Sequence, residues 1–451
     1  MNYNNAFSAA QILPRSPIFQ ESLGVRAGYY CYLERMMKLA QWDQEKYTKA
    51  ELAFYRENLY RDISTETDQA WYRPLHSRLI PLDVAALLGF HSDYPDFTKK
   101  IALLRDQFAK DFGLTKGQAA VFSMIVRAAT SKDSSSWNNL LRGADKFPAC
   151  YVEYLLAARD NANFVNRQPL CILVTATMSA GKSTLINALT GKRISKTQNL
   201  ACTSKVHVIL SKPFEDDCTT EYDSDISLDA TQEELFTDNT ENPSNQITVS
   251  TYFKGRLGGK RILLLDTPGV NSSENAEHTE ITQNAICSKQ YDVLLYVLNA
   301  TQLRTTDDQE HLHFIAENCQ DKQIVFVLNK ADQLFSEEEN LTELLRRQYQ
   351  YLESLGFAHP LLFPISAKAA CLAQKSAREP LNRIEQRELD NYIYDFSQMN
   401  FNEWDKELFR RVKIPMIPRT CEEIWELLRN CGFAYLEEYL KRLAPSNFEN
   451  S

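Results

Sequence analysis

Five short motifs, met in order along the chain, have the residue types needed to hold a nucleoside triphosphate and its metal ion. The first is Ala176-Thr177-Met178-Ser179-Ala180-Gly181-Lys182-Ser183, followed by Thr184. Residues 170–176 read as a buried strand and 182–189 as a helix. The loop therefore opens a helix, where backbone N–H groups and the helix dipole favour phosphate. Lys182 would reach the β- and γ-phosphates, and the Ser183 hydroxyl would ligate Mg²⁺. The usual first glycine is Ala176 here, and its methyl group narrows the allowed backbone angles. The second motif is Ala201-Cys202-Thr203-Ser204, ahead of a strand at 205–210. Thr203 would close over the γ-phosphate and complete the Mg²⁺ shell, although threonines often start strands and Thr197 lies nearby.

The third motif, Asp266-Thr267-Pro268-Gly269, ends a hydrophobic strand at 261–265. Asp266 would hold a Mg²⁺-bound water. The Gly269 amide would bond the γ-phosphate, and losing that bond on hydrolysis would release residues 270–280. The fourth, Asn329-Lys330-Ala331-Asp332, follows the strand 324–328. A carboxylate at Asp332 accepts from N1–H and the N2 amine of guanine, a donor pair that adenine lacks, so its own buried oxygens go unpaired with the wrong base. Asn329 would brace the loop and the Lys330 stem would lie on the ring. The fifth, Ser366-Ala367-Lys368, follows the strand 361–365, and the Ala367 N–H would bond guanine O6. Together the motifs point to a GTP-binding site, with GTP and GDP as ligands and Mg²⁺ as cofactor.

The elements around them are of two kinds. Residues 1–165 read as an all-α N-terminal domain. In it, Asp96 and Thr115 stand where helix caps are expected, 45–63 carries one apolar side, 131–136 is a polar break, and Pro148 opens a last helix to about 163. From residue 166 to 445, buried strand patterns alternate with helical ones, including 293–298. That order gives an α/β fold, a P-loop GTPase G domain with a mostly parallel, doubly wound sheet. Two inserts interrupt it. One is an acidic, exposed-looking loop at 212–247. The other is a polar helical segment at 370–425 before a final helix at 435–443. Of 451 residues, 44% are hydrophobic and the net charge is -9. The stretch 212–246 holds eleven acidic residues and one basic, leaving 48 acidic against 49 basic elsewhere. There is no basic excess of the kind nucleic-acid binders show, so no nucleic acid is expected.

Ten cysteines are scattered without C-x-x-C pairs, and His311 and His313 are two apart, which on a helix turns them to different sides. The absence of an export signal and of an apolar run long enough to span a bilayer gives a cytoplasmic expectation, with any membrane contact peripheral.

Ser179 to Leu189, Asp266-Thr267-Pro268-Gly269-Val270-Asn271-Ser272, and Asn299-Ala300-Thr301-Gln302-Leu303 with Asp307-Asp308 resemble the sequences of bacterial dynamin-like proteins over about 168–445. The resemblance implies a large GTPase whose G domains dimerise across the nucleotide and so promote hydrolysis. It implies that Ser179 matches the dynamin serine that binds a monovalent cation, K⁺ or Na⁺, in place of an arginine finger. Met178 stands where dynamins have a water-positioning glutamine, and Val270 offers no substitute. After the last helix only residues 444–451 follow, where dynamins carry stalk helices. A stalk would then come from a partner protein. The basic and apolar run 410–419 reads as an exposed loop, or as a membrane or partner contact. Two other readings share the motifs: a regulatory or assembly GTPase linked to the ribosome or RNA, and a GTP-binding module with little turnover.

Overall fold

The computed structural model describes residues 9–59, 70–88, 95–130, 135–195, 205–222, 226–231, 233–235, 246–270, 276–334, 341–405, 414 and 421–445. Thr197, Thr203 and, apart from Ile414, the run 410–419 lie outside the described residues. The chain divides into two compact units. One is residues 1–167 with 225–229, and the other is 168–224 with 230–451.

The first unit is helical. Its helices are α1 (Ala9–Ile12), α2 (Leu23–Ala40), α3 (Lys46–Leu59), α4 (His76–Leu88), α5 (Phe97–Asp111), α6 (Lys116–Thr130), α7 (Ser135–Leu141) and α8 (Ala149–Asn166). Thr115 does begin α6 as a cap: its hydroxyl accepts from Gln118 N at 3.4 Å, while the Gln118 side chain accepts from Thr115 N at 2.9 Å. Asp96 makes no side-chain cap bond to α5, and its carboxylate faces Lys100 at 3.3 Å instead. At the centre of this unit lies a wholly buried carboxylate, Asp83. It accepts from the hydroxyls of Tyr29, Tyr55 (2.9 Å) and Tyr154, three residues from three different helices. Burial pushes this carboxyl up to about 6, and the three tyrosine bonds oppose that shift.

The second unit is a sheet in the order β3-β4-β2-β5-β1-β6-β7-β8. The strands are β1 (Leu170–Ala176), β2 (Val206–Ser211), β3 (Thr220–Glu221), β4 (Gln246–Thr251), β5 (Ile262–Asp266), β6 (Val293–Asn299), β7 (Gln323–Asn329) and β8 (Leu361–Pro364). Every described pairing is parallel except β2 with β5 and β3 with β4. Alternation along the strands sorts side chains to two cores. Ile172, Val174, Leu295, Val297, Val325 and Val327 join one core, with α9 (Lys182–Thr190). Leu173, Leu294, Tyr296, Leu298, Phe326 and Leu328 join the other, with α10 (Ala276–Cys287), α11 (Thr306–Asn318) and α12 (Leu341–Ser354).

Some of the described residues of both inserts are buried. In the acidic stretch, Thr219, Thr220 and Glu221 are buried, and β3 extends the sheet by pairing with β4. Lys212 and Asp216 form a buried pair at 2.8 Å. In the later segment, α13 (Ala367–Ser376), α14 (Arg383–Gln398), α15 (Glu422–Asn430) and the final helix α16 (Phe433–Leu443) supply Ala370, Leu389, Phe396, Leu428 and Leu436 to the first core. A net acidic composition hides these short buried runs.

The Asp83 knot gives a stability prediction. Asp83→Ala leaves three buried tyrosine hydroxyls short of their acceptor and should cost at least about 2 kcal/mol. Because the folded carboxyl titrates above its ordinary 3.8, its proton-linked stability is complete below about pH 4 and is lost as pH rises through about 6. Urea unfolding of the full chain at pH 4.5 and pH 7 should therefore show a pH term in the wild type that Asp83→Asn lacks.

Candidate functional site

The phosphate-loop candidate runs from the end of β1 into α9. Ala176 is the last residue of β1, paired with Val297 across β6 and fully buried. Its backbone is a strand's, so the methyl group meets no demand for a glycine conformation. The turn that follows does make such demands. Ser179 sits at φ 60° and Gly181 at φ 86°. Gly181 is needed on a second ground, since a Cβ there would lie 2.3 Å from Asn329 Nδ2.

Asn329, at the end of β7, joins three motifs. Its Nδ2 donates to the Ala180 carbonyl at 2.9 Å, and its Oδ1 accepts from Ala367 N at 3.0 Å. One buried side chain thus ties the phosphate loop to the loop carrying Ser366, Ala367 and Lys368. The amide that the sequence reading assigns to guanine O6 is here bonded to Asn329. Asn299, at the neighbouring end of β6, donates to the Ser179 carbonyl at 3.4 Å and accepts from Thr301 N and Oγ1 at 3.1 and 2.9 Å. Asn299 appeared in the sequence only as part of a resemblance. The register that places it beside Asn329 gives its role.

Lys182 is buried, and its ammonium is bonded to the fully buried Asp266 at the end of β5. The other Asp266 oxygen accepts from Ser195 Oγ at 2.8 Å. Ser195 is itself fixed by Asn187, whose Oδ1 accepts from Ser195 N at 2.9 Å. Sequence reasoning did not single out Ser195, because a lone serine after a helix carries no motif. Thr267 Oγ1 donates to the Val174 carbonyl at 3.0 Å, and Val270 N donates to Ala176 O at 3.2 Å, pinning the Asp-Thr-Pro-Gly turn to β1. Gly269 lies beside Met178: a Cβ built there would stand 3.5 Å from the methionine Cγ. The Ser179 side chain is exposed, Ser183 and Thr184 are half-buried, and Thr177 is half-buried beside Val270.

On the base side, Lys330 sits at φ 63° with its Cε 3.9 Å from a Cβ built on Gly181. Burial lowers its ammonium. Burial raises the Asp332 carboxyl, and hydrogen bonds from Ser366 and from Tyr392 pull it back. Lys368 is turned to Glu388 at 2.8 Å. Ten of the expected positions, 177–184, 266 and 269, therefore stand on the β1 and β5 ends, and the base-side group stands on the β7 and β8 ends. Among the described residues, no group of three or more His, Cys, Asp or Glu side chains is placed to hold a metal ion. No described helix is long and apolar enough to cross a membrane.

Residues 172–331 match the family model described as the Dynamin family. Among curated proteins, the chain is 29% identical over 223 residues to an uncharacterized protein in the xynA 3′ region of Caldicellulosiruptor sp. (strain Rt8B.4), covering 48% of this chain and 54% of that one. It is 25% identical over 243 residues to a probable transmembrane GTPase FZO-like, chloroplastic, of Arabidopsis thaliana, covering 54% and 24%. The chain thus spans about half the length of the first relative and about a quarter of the second. Among solved structures, an oligomerised bacterial dynamin pair aligns at 16% identity with a TM-score of 0.38, over 93% of this chain and 61% of that one. Aquifex aeolicus Era bound to GDP and an aluminium fluoride aligns at 20% identity with a TM-score of 0.27, over 44% and 50%.

If Asn329 joins the phosphate and base loops, truncating it must harm both. Asn329→Ala orphans the buried Ala180 carbonyl and Ala367 N–H and should cost about 1–3 kcal/mol for each. Asn299→Ala loses a longer bond to the loop together with its Thr301 bonds, but these groups are only partly buried, so water replaces the lost partners and the cost should be less. Denaturant unfolding of the two variants orders them.

Proposed function

We propose, from the match of residues 172–331 to the Dynamin family model, that the chain binds GTP with Mg²⁺ and hydrolyses it to GDP and phosphate. The observation that carries this reading is the Asn329 bridge. It ties the loop after β1 to the loop after β8 from the end of β7, which supports reading them as the phosphate and guanine sides of one site.

The chain's own residues account for binding as follows. Thr177, Met178, Ser179, Ala180, Gly181, Lys182, Ser183 and Thr184 wrap the phosphates with backbone N–H groups at the α9 terminus. Lys182 exchanges its Asp266 partner for phosphate oxygens when a triphosphate enters, since those oxygens carry more negative charge. Asp266 is released by that exchange but stays oriented by Ser195. Ser183 and Asp266 would hold Mg²⁺, joined by Thr203. A hydroxyl and a carboxylate suit a hard cation that keeps waters and phosphate oxygens as its other ligands. When bound, the ion offsets phosphate charge. Asp332 reads the guanine edge, with Asn329, Lys330, Ser366, Ala367 and Lys368 forming the rest of the base pocket.

Hydrolysis is then mainly positioning and charge stabilisation around an in-line water. The Gly269 amide senses the γ-phosphate. Ser179, exposed at the turn of the loop, is the residue for a monovalent cation. Met178 offers no water-positioning group, so the proposal includes association of two G domains across the nucleotide to complete the site. Peripheral contact with a membrane belongs to the same proposal.

GTP hydrolysis measured over a range of protein concentrations, in K⁺, in Na⁺ and in buffer free of both, tests this, with Lys182→Ala as blank. Specific activity should rise with concentration and require the cation. Flat, cation-independent activity would remove the dimer and the Ser179 role, and no activity above the blank would remove hydrolysis itself.

A further inference from the structure

Helix α14 carries none of the five motifs, yet one of its faces is turned to the base-side loops. Tyr392 donates its hydroxyl to Asp332 Oδ2 at 3.3 Å. Glu388 pairs with Lys368 at 2.8 Å, and Glu385 with Lys375 at 2.6 Å. Residues 385, 388 and 392 are three and four apart and so share a side of the helix. The helix is well anchored. Asn382 and Glu385 close a capping box at its start, and Leu389 and Phe396 are buried in the sheet core. The Tyr392 hydroxyl is therefore delivered to Asp332 by a rigid element.

We propose that Tyr392 is a specificity-determining positioning residue of the base site, whose hydroxyl orients the Asp332 carboxylate so that both oxygens face the guanine N1–H and N2 amine. The inference rests on the GTP-binding reading above and deepens it. A carboxylate offers about four lone-pair sites. Guanine uses one on each oxygen, and Tyr392 takes a further one on Oδ2, so the two do not compete. Burial raises the tyrosine hydroxyl's own titration, which keeps it a protonated donor. Without that donor the carboxylate keeps its Ser366 hydrogen bond but loses the bond on Oδ2, and turns more readily about its Cβ–Cγ bond. The bond to N1–H survives such a turn better than the paired bonds to N1–H and the amine. Hypoxanthine has the N1–H and lacks the amine. The contribution of Tyr392 is therefore greatest where a base must be read at both positions.

The test is competition against N-methylanthraniloyl-GDP on the full chain, with GDP and with inosine diphosphate, for the wild type and Tyr392→Phe. Losing a hydrogen bond to a charged acceptor should weaken GDP about five- to tenfold and inosine diphosphate less, so that the preference for GDP falls at least about threefold. The preference is a ratio within one preparation, so any misfolded fraction of the variant cancels. In an Asp332→Asn background, read with xanthosine diphosphate, adding Tyr392→Phe should change affinity by less than about twofold, because the carboxylate it orients is gone. An equal loss for GDP and inosine diphosphate makes Tyr392 a packing residue and overturns the proposal. Tighter GDP binding by Tyr392→Phe makes it a competitor for Asp332 and also overturns it. A wild type that binds no GDP fails the parent reading, and this inference with it. A wild type that prefers GDP by the same ratio as the variant fails this inference alone.

Discussion

The site depends on one buried amide. Asn329 has a donor and an acceptor on a single planar group, and the fold spends both on backbone from two other loops. A buried carbonyl or N–H without a partner is costly, so the Ala180 carbonyl and the Ala367 N–H hold Asn329 as firmly as it holds them. Parallel register does the rest: β6 and β7 end together, pairing Asn299 with Asn329, so two amides support consecutive carbonyls of one loop. A glycine is required opposite this arrangement, because Gly181 passes within contact of the Asn329 side chain. The Ala180 and Ala367 loops are thereby coupled to one another.

The second constraint is charge. Asp266 is fully buried, and a carboxylate in that position is tolerable only with partners. Lys182 and Ser195 supply them. The ion pair keeps Lys182 folded against the sheet and Asp266 beside it. The helical unit solves the same problem differently. Asp83 has no cation among its hydrogen-bond partners: burial favours its neutral form, and three tyrosine hydroxyls stabilise the charge when it ionises.

Much of the G-domain fold is legible in sequence because its strands are buried on both faces and appear as nearly continuous apolar runs, as in Leu170–Ala176 and Val293–Asn299. The phosphate loop is legible because Gly181-Lys182-Ser183 follows such a run. Other parts are not. Helix α4 carries Pro81 inside it, which blurs its helical signal. Strand β3 has two residues within an acidic stretch, too few for any period. The Asp96 cap fails because its side chain finds Lys100 first. Asn299, Ser195 and Tyr392 act through contacts 120, 71 and 60 residues away in sequence. No local pattern marks such pairings, and only topology brings them together.

In the proposed function, Asp332 and the Asn329-linked loop form a site for guanine rather than for any purine. The direct measurement is an equilibrium titration of the full chain with GDP and with ADP in Mg²⁺ buffer. GDP should bind at least about 100-fold more tightly than ADP, because adenine leaves the Asp332 oxygens unpaired. Equal affinities for the two nucleotides would contradict it.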